Sequence, residues 1–398
     1  MVKISPLKPF LPKNPEEFTT NPYDVIEKEE ELELKKNPNS LIHLILPDGE
    51  GDEVYKNAAK AYQGYKDKDL IYKVNTPSIF VYQQQSQSFS HQGLIMGISL
   101  EDYESGNIVK HEFTREKPLK DRTNHIVSTN VAAGLVWTVF NSNKKINKII
   151  EKIKRKDPLF KFTKYNYTHF LWQETNAETI NFIKNQFVNE KFYIADGHHR
   201  AASAAEYRKL KLQNNEKEDE KGWKYLLSYV ASDDQIRILP YNRVIKKLPL
   251  GEGEFLSKLE DIYKIKKRDG PFNPKHKNQI ALCVKGDWYE LNVRNLDFHS
   301  KYDSLDVSIL QDKVLNPILG IKDPRADENL FFVGGIRDPI EMEKFVTEKG
   351  NDLFINLYPV KIKDLEEIGG EGGVMPPKST WFDPKVLSGL VLHDLIEF

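Results

Sequence analysis

The feature that most constrains this chain is a junction near its middle, where a short apolar strand leads directly into a helix. Residues 192–195 carry the aromatic and branched side chains that are typical of a buried strand. The alanine-rich run at 201–208 favours a helix, because alanine loses the least side-chain freedom there. Asp196 and Gly197 stand between the two elements and are predicted to form the turn.

An anion site is the chemistry expected at such a junction. The first backbone N–H groups of a helix have no partner inside the helix, and the helix dipole adds positive charge there. Gly197 lets a ligand approach the backbone, and His198, His199 and Arg200 add side-chain donors. The structural alternative is that Asp196 only caps the helix, since Asp and Gly are favoured at turns for backbone reasons.

A second group of polar residues follows the apolar pair at 108–109. It contains His111, Glu112, Thr114, Lys117 and, a little further on, Arg122. A phosphotransferase needs a carboxylate to orient or deprotonate an acceptor hydroxyl, and cations to hold phosphate, and this segment offers both. The alternative is that these charges at a strand end are simply solvated.

A third candidate lies near the C-terminus, where a glycine-rich stretch at 369–373 precedes Lys378, Ser379 and Thr380. The order invites comparison with a Walker A element, but the required spacing is absent and two prolines stand directly before Lys378. A rigid loop with one ammonium and two hydroxyl groups remains, which suits a phosphate or a substrate carboxylate.

Length and composition limit the remaining possibilities. A chain of 398 residues can form two packed subdomains, and we expect a division into 1–245, with the junction, and 246–398, with the Lys378 loop. The 58 Lys and Arg residues balance 59 Asp and Glu residues, which argues against a general nucleic-acid binder. With the single cysteine Cys283 the chain cannot form an internal disulfide, which indicates a cytoplasmic location. The sequence contains no run of about 18 apolar residues, the length that a membrane span requires.

The motifs resemble known families. DGHHRAASA at 196–204 resembles the DG-x-HR-x-x-A signature of free serine kinases and the G-x-x-R-x-x-A phosphate motif of ParB/sulfiredoxin-like folds. NPYDVI at 21–26, the segments KHEFT and KPLKDR within 110–122, and MPPKSTWFDPK at 375–385 resemble a bacterial family called domain of unknown function 1015. This second resemblance extends over nearly the whole chain.

The resemblance implies an α+β fold, with a ParB/sulfiredoxin-like core of mixed sheet and helices and an elaborated second α/β subdomain. It implies a kinase that phosphorylates free L-serine with ATP or ADP and Mg²⁺. A homodimer is left open, and the charge balance and the apolar pattern predict neither a nucleic-acid nor a membrane partner. The implied catalytic residues are Glu112 and Asp196, and Asp196 is also the implied metal ligand. Phosphate or nucleotide would be bound by Gly197, His198, His199, Arg200, Lys378, Ser379 and Thr380. The substrate would be bound by His111, Thr114, Lys117 and Arg122.

Two other function classes stay open at this point. A non-catalytic nucleotide-binding regulatory protein could keep the same phosphate site as a sensor. A metal hydrolase built on His198, His199 and Asp196 is disfavoured, because adjacent helical residues point about 100° apart and rarely bind one ion.

The hydrophobic pattern predicts further elements. Residues 41–46 are predicted as a buried strand. Asp24 is either a functional acid or the cap of a helix that starts near residue 27, and the cap is favoured. Hairpins are predicted at 78–100 and 160–174, and an amphipathic helix at 144–156.

Overall fold

The computed structural model describes residues 2–112, 114–218, 221–294 and 297–397. The chain forms two compact units, one of Met1–Ile236 with Pro384–Phe398 and the other of Arg237–Asp383. The sequence predicts a division after residue 245, with the whole C-terminal part in the second unit. In the structure the last segment returns to the first unit, because its backbone pairs there, Ser388 with Thr20 and His393 with Ala132.

The first unit combines strands and helices in alternation. Its strands up to residue 236 are β1 (Ile4–Ser5), β2 (Phe10–Pro12), β3 (Ile71–Lys73), β4 (Ile79–Gln85), β5 (Ser90–Ser99), β6 (Ile108–Val109), β7 (Val131–Ala132), β8 (Val136–Phe140), β9 (Phe160–Lys164), β10 (Tyr167–Glu174), β11 (Phe192–Asp196) and β12 (Tyr225–Ser232). Its helices are α1 (Pro15–Phe18), α2 (Lys28–Lys35), α3 (Ile42–Ile45), α4 (Glu53–Asp67), α5 (Leu100–Glu104), α6 (Glu116–Thr129), α7 (Lys144–Ile153), α8 (Ala177–Gln186) and α9 (His198–Gln213).

A mixed nine-stranded sheet forms the centre of this unit. Eight strands follow the order β6-β11-β8-β12-β5-β4-β10-β9, and β1 pairs with β5. The pairs β6 with β11 and β8 with β12 are parallel, whereas β8 and β11 are antiparallel. Both predicted hairpins are confirmed, as β4 with β5 and β9 with β10. The α+β class is therefore confirmed.

Helices cover the sheet with apolar faces, as their periodicity predicts. The predicted helix at 144–156 is confirmed as α7, which buries Ile146, Ile150 and Ile153 in a core shared with Phe187 and Phe192. Charged residues of α7 face away from this core. Its stability therefore comes from one apolar stripe, as expected of a helix on the surface of a sheet.

The second unit is built on an antiparallel sheet of six strands, in the order β15-β17-β16-β19-β14-β18. Its strands are β13 (Arg237–Leu239), β14 (Tyr241–Ile245), β15 (Tyr263–Arg268), β16 (Gln279–Val284), β17 (Asp287–Val293), β18 (Leu330–Gly334), β19 (Leu353–Asn356) and β20 (Trp381–Asp383). Its helices are α10 (Glu252–Leu259), α11 (Asp306–Leu310), continued by a π-helical turn at Gln311–Leu315, α12 (Pro339–Thr347) and α13 (Ile362–Gly370). After this unit, β21 (His393–Asp394) pairs with β7 in the first unit.

Two local predictions were wrong. Residues 41–46 are not a strand: Ile42–Ile45 form the short helix α3, whose apolar side chains join a core with Tyr62 and Tyr65 of α4. A short apolar run fits a strand or a buried helix equally well, and packing against α4 decides here. Asp24 does not cap α2, because the N-cap residue is Glu27.

Within the described part of the chain, no helix combines the length and the apolar character needed to cross a membrane.

Candidate functional site

The predicted junction exists, and sheet register sets its surroundings. β11 ends at Asp196 and α9 begins at His198, so the strand passes into the helix through Gly197 alone. The parallel neighbour β6 pairs Ile108 with Phe192. Continuing this register places the residues that follow β6 beside the end of β11. The polar segment near residue 111 therefore belongs to the same sheet edge as the junction.

Gly197 is the N-cap of α9 and adopts a left-handed conformation, with φ +96°. A side chain at this position would be strained, and its Cβ would lie 3.0 Å from the guanidinium of Arg200. The cap is thus Gly197 and not Asp196, the residue that the structural alternative proposed. The carboxylate of Asp196 is left for another role.

Asp196 joins two cations. Its Oδ2 accepts a hydrogen bond from Nη2 of Arg200 at 2.6 Å, and its Oδ1 accepts one from Nζ of Lys385 at 2.9 Å. Arg200 also donates to the carbonyl oxygen of Leu135, just before β8. We call Asp196, Arg200 and Lys385 the ion cluster. One carboxylate faces two cations in it, so the cluster carries one unit of positive charge.

The charges of the ion cluster are stabilised by each other. Burial alone would raise the pKa of Asp196, but the charges of Lys385 and Arg200 outweigh burial and hold this pKa well below its usual range. Burial likewise opposes the charge on Arg200, and the nearby Asp196 raises the pKa of the guanidinium above its usual value. Asp196 and Arg200 are therefore both ionised at neutral pH.

Lys385 is the site residue that sequence analysis missed. It is separated from Asp196 by 189 positions, and no local pattern marks it as functional. Gln84, on the central strand β4, donates to the backbone carbonyl of Lys385 at 3.1 Å and holds this segment in place. The family motif at 375–385 ends on this lysine, which was the one available signal.

His111, Glu112 and His198 form a second cluster at the same edge. One potential ligand atom from each lies within 4.8 Å of the other two. The rings of His111 and His198 are buried and pack edge to face, with centroids 4.4 Å apart. Burial lowers the pKa of His111 to about 4 and that of His198 well below its usual value, so both rings are neutral at pH 7.

His198 therefore faces inward, toward His111, and is not an exposed cation beside a ligand. His199, the next residue of α9, is half-buried. His198, His199 and Arg200 are the three side chains of the junction that were predicted to bind phosphate. Of these, Arg200 belongs to the ion cluster. Glu112, the predicted base, lies beside His198 and is half-buried.

A cavity of about 70 Å³ adjoins the ion cluster. This is room for roughly five water molecules. Its walls are mostly apolar, and its polar lining includes Tyr23, Arg122, His125, Arg200, Ser203 and Ser388. The structure thus brings together Arg200 and Arg122, which the sequence placed in separate motifs.

Arg122, a predicted substrate-binding residue on α6, forms one wall of the cavity. Its Nε and Nη2 donate to Asp121, and its Nη1 donates to the carbonyl of Ile45 at 3.2 Å. The guanidinium lies over the ring of Tyr23, 4.5 Å from the centroid. Tyr23 belongs to the NPYDVI motif, and burial, with the charge of Asp24, raises its pKa to about 12. The motif therefore helps to shape the cavity.

The other predicted substrate residues lie further along the same segment. Thr114 is half-buried in the connection before α6, and Lys117 is exposed on the first turn of that helix.

The predicted loop residues Lys378, Ser379 and Thr380 belong to the second unit. Lys378 is exposed, with φ +54°, and its ammonium lies 5.0 Å from the ring centroid of Tyr241. The hydroxyl of Ser379 is buried and donates to the carbonyl of Pro376 at 2.6 Å, while Thr380 is half-buried. Ser379 therefore stabilises the loop itself.

Arg243, which the sequence did not single out, supports this loop. It is buried, donates to the backbone carbonyls of Tyr241 and Pro377, and lies against the ring of Phe332. Burial lowers the pKa of its guanidinium to about 9. The conformation of the loop at Pro377 thus depends on a buried arginine of β14.

Comparison with known proteins identifies the family. The model of a family described as "Protein of unknown function (DUF1015)" matches residues 4–308, which is 305 of the 398 residues. The chain belongs to the DUF1015 family. The membership expected from the sequence motifs is thereby confirmed. None of the curated protein sequences matches this DUF1015 chain.

Solved structures that resemble this DUF1015 protein include a free serine kinase in complex with AMP, a variant free serine kinase in complex with ADP, and a conserved hypothetical protein from Pyrococcus furiosus. Each is 12% identical, with TM-scores of 0.39, 0.40 and 0.36 respectively. The matches cover 76%, 76% and 72% of this chain and 91%, 92% and 90% of the others. At these values the function of this chain has to be argued from its own residues.

Proposed function

We propose that this protein is a small-molecule kinase that transfers a phosphoryl group from ATP or ADP to the hydroxyl of free L-serine. The region around the junction would then be a ParB/sulfiredoxin-like core. The observation that carries the proposal is the ion cluster, in which two cations converge on one carboxylate where a strand turns into a helix. Serine as acceptor, and the nucleotide as donor, come from the resemblance of DGHHRAASA to free serine kinases.

The charge of the ion cluster supports phosphate binding. Its net positive charge lies at the N-terminus of α9, where the helix dipole and the first backbone N–H groups also favour an anion. Two of the five N–H donors of Arg200 are used by Leu135 and Asp196 within the described residues. The remaining donors can bind phosphate oxygens, while Asp196 keeps the guanidinium in its orientation.

The adjoining cavity supports a small acceptor. A volume of about 70 Å³ is too small for a nucleotide, so we assign the cavity to the smaller of the two ligands. Three of the five N–H groups of Arg122 donate to Asp121 and Ile45 within the described residues. The other two can bind the carboxylate of the acceptor. Arg200 lines the same cavity, so its guanidinium can bind oxygens of the phosphoryl group while the acceptor hydroxyl faces the phosphorus.

Glu112 is proposed as the general base. Its carboxylate lies in the cluster with His111 and His198, at the edge of the sheet where β11 ends. In phosphoryl transfer the protein mainly positions the groups and neutralises charge, and a carboxylate orients the attacking hydroxyl or accepts its proton.

Lys378 is proposed to bind a second anionic group of a ligand, because it is exposed on the loop that Ser379 and Arg243 stabilise.

Asp196 does not fit a Mg²⁺ ion, although the sequence motif implies one there. Each of its carboxylate oxygens already accepts a hydrogen bond from a cation, at 2.6 and 2.9 Å. A divalent cation at the same carboxylate would meet two positive charges at close range. We therefore propose that Asp196 orients Arg200 and Lys385, and we assign it no metal.

The proposal is tested by incubating the purified protein with Mg²⁺, L-serine and either ATP or ADP, and measuring O-phosphoserine by mass spectrometry. Product is expected from one of the two donors. Arg200→Ala is expected to reduce it at least about 100-fold, because a preorganised cation is lost from the transferred group. Glu112→Gln is expected to reduce it by about the same factor, because the variant cannot accept a proton.

Lys209→Ala is the matched control. Lys209 lies nine positions after Arg200 on α9, its side chain is 61% exposed, and it does not line the cavity. Its product yield should stay close to that of the unmodified protein. Tight nucleotide binding without product, across a panel of hydroxylated acceptors, would contradict the kinase and support the regulatory alternative.

A further inference from the structure

The cluster of His111, Glu112 and His198 has the composition of a metal site. Two imidazoles and one carboxylate offer ligand atoms within 4.8 Å of one another. Both histidines are more than nine-tenths buried, at 2% and 8% exposure. They come from two chain segments, one following β6 and one opening α9, which the parallel register of β6 and β11 holds together. The pairing of β6 with β11 therefore holds His111 and His198 close to each other.

The distances allow an ion to bind after a small movement. Four-coordinate zinc holds its ligands at about 2.0–2.2 Å, which places the ligand atoms about 3.3 Å from each other. The largest separation of 4.8 Å must then shrink by roughly 1.5 Å. Glu112 is half-buried, so its side chain has room to move toward the two fixed rings.

Contacts within the cluster orient both rings. The backbone N–H of His111 points at Nε2 of His198 over 3.5 Å, so Nε2 carries the lone pair. A contact of this length is weak, and an ion can replace it. The ring of His111 is held by burial and by its edge-to-face packing against the ring of His198.

The donor set selects the type of ion. Magnesium takes oxygen ligands in an octahedron, whereas neutral imidazole suits zinc and its neighbours in the transition series. Three protein ligands also leave one position open, as in catalytic zinc sites. The alternative explanation is that the two rings, packed at 88° to each other, merely fill the core. That explanation predicts no specific metal binding.

We propose that His111, Glu112 and His198 bind one divalent transition-metal ion of the zinc class. The site lies next to the ion cluster, because Gly197 alone separates Asp196 from His198. One oxygen of Glu112 binds the ion, and the other stays available for the hydroxyl proton in the proposed reaction. Metal binding does not depend on the proposed kinase activity and is tested separately.

The test uses the full chain, stripped with a chelator and then titrated with Zn²⁺ by calorimetry. The absorption spectrum of the Co²⁺-loaded protein reports the ligands in parallel. One equivalent of Zn²⁺ is expected to bind. His198→Ala and Glu112→Gln should each weaken binding at least about tenfold, and the Co²⁺ spectrum should change in both. His169→Gln is the control, since His169 is equally buried but bonds to Tyr82 and Lys164 instead.

Glu112→Gln keeps the test decisive if a histidine variant fails to fold, because the half-buried Glu112 can be changed without a cavity in the core. Zn²⁺ binding of equal strength in the unmodified protein and in Glu112→Gln would overturn the proposal. So would the absence of Zn²⁺ binding to the stripped protein. Neither outcome would affect the phosphoserine assay of the proposed kinase, so the two proposals can fail independently.

Discussion

Replacing Asp196 with asparagine is expected to lower the free energy of unfolding by about 3–5 kcal/mol, the usual cost of removing one member of a buried ion pair. The side chains of Arg200 and Lys385 are only 11% and 12% exposed. Without the carboxylate, both cations would remain buried and repel each other. Asparagine has nearly the same size and shape as aspartate, and its amide oxygen can still accept a hydrogen bond. The expected loss of stability is therefore electrostatic and does not come from poorer packing.

Denaturant unfolding, followed by tryptophan fluorescence, measures this change. Asp48→Asn is the matched control, because Asp48 pairs with Lys35 at the surface and is 76% exposed. Its removal should cost less than about 1 kcal/mol. Adding Lys385→Met to Asp196→Asn should restore part of the stability, because one uncompensated cation is removed. A loss for Asp196→Asn as small as that of Asp48→Asn would show that the ion cluster is not buried as described.

Acid is expected to destabilise the first unit between about pH 6.5 and pH 4. His111, His125, His169 and His393 are buried there, and burial lowers the pKa of each to about 4. Burial also lowers the pKa of His198 well below its usual value. Because the unfolded chain binds protons at about pH 6.5 and the folded chain does not, stability is fully present above that pH and falls below it. At pH 5 each histidine should cost about 2 kcal/mol.

Urea unfolding at pH 7.5, 6 and 5 measures the effect, with a chelator present to exclude metal. His393→Asn should reduce the pH dependence by about one fifth, since one of these five histidines of the first unit is lost. Asp306 of the second unit acts in the opposite sense. Burial raises its pKa to about 7, so the folded state binds this proton more tightly and gains stability as the pH falls toward 4. Unchanged stability of the first unit from pH 7.5 to 5 would contradict the burial of these histidines.

The sequence predicted the junction well because its signals are local and agree with each other. An apolar strand ends at Asp196, glycine supplies the positive φ of the turn, and alanines continue the helix. The hairpins and α7 were predictable for the same reason, since hydrophobic periodicity is a local property. Residues 41–46 failed because a short apolar run lacks a distinctive period.

The assembly of the candidate site could not be predicted in the same way. The proximity of Glu112 and His198 depends on the parallel pairing of β6 with β11, which joins residues more than 80 positions apart. Lys385 reaches Asp196 because the chain returns to the first unit after residue 383. The inward orientation of His198 depends on its contact with His111. Such long-range contacts leave no periodic pattern in the sequence.

The most direct test of the central claim, that the ion cluster binds a phosphoryl group, is a calorimetric comparison of O-phospho-L-serine with L-serine. Lys385→Met removes one cation but leaves Asp196 paired with Arg200. We predict that this variant binds O-phospho-L-serine at least about tenfold more weakly than the unmodified protein, because one charge-assisted hydrogen bond is lost. Its affinity for L-serine should change little. Equal affinity of both proteins for O-phospho-L-serine, or no binding by the unmodified protein, would contradict the claim.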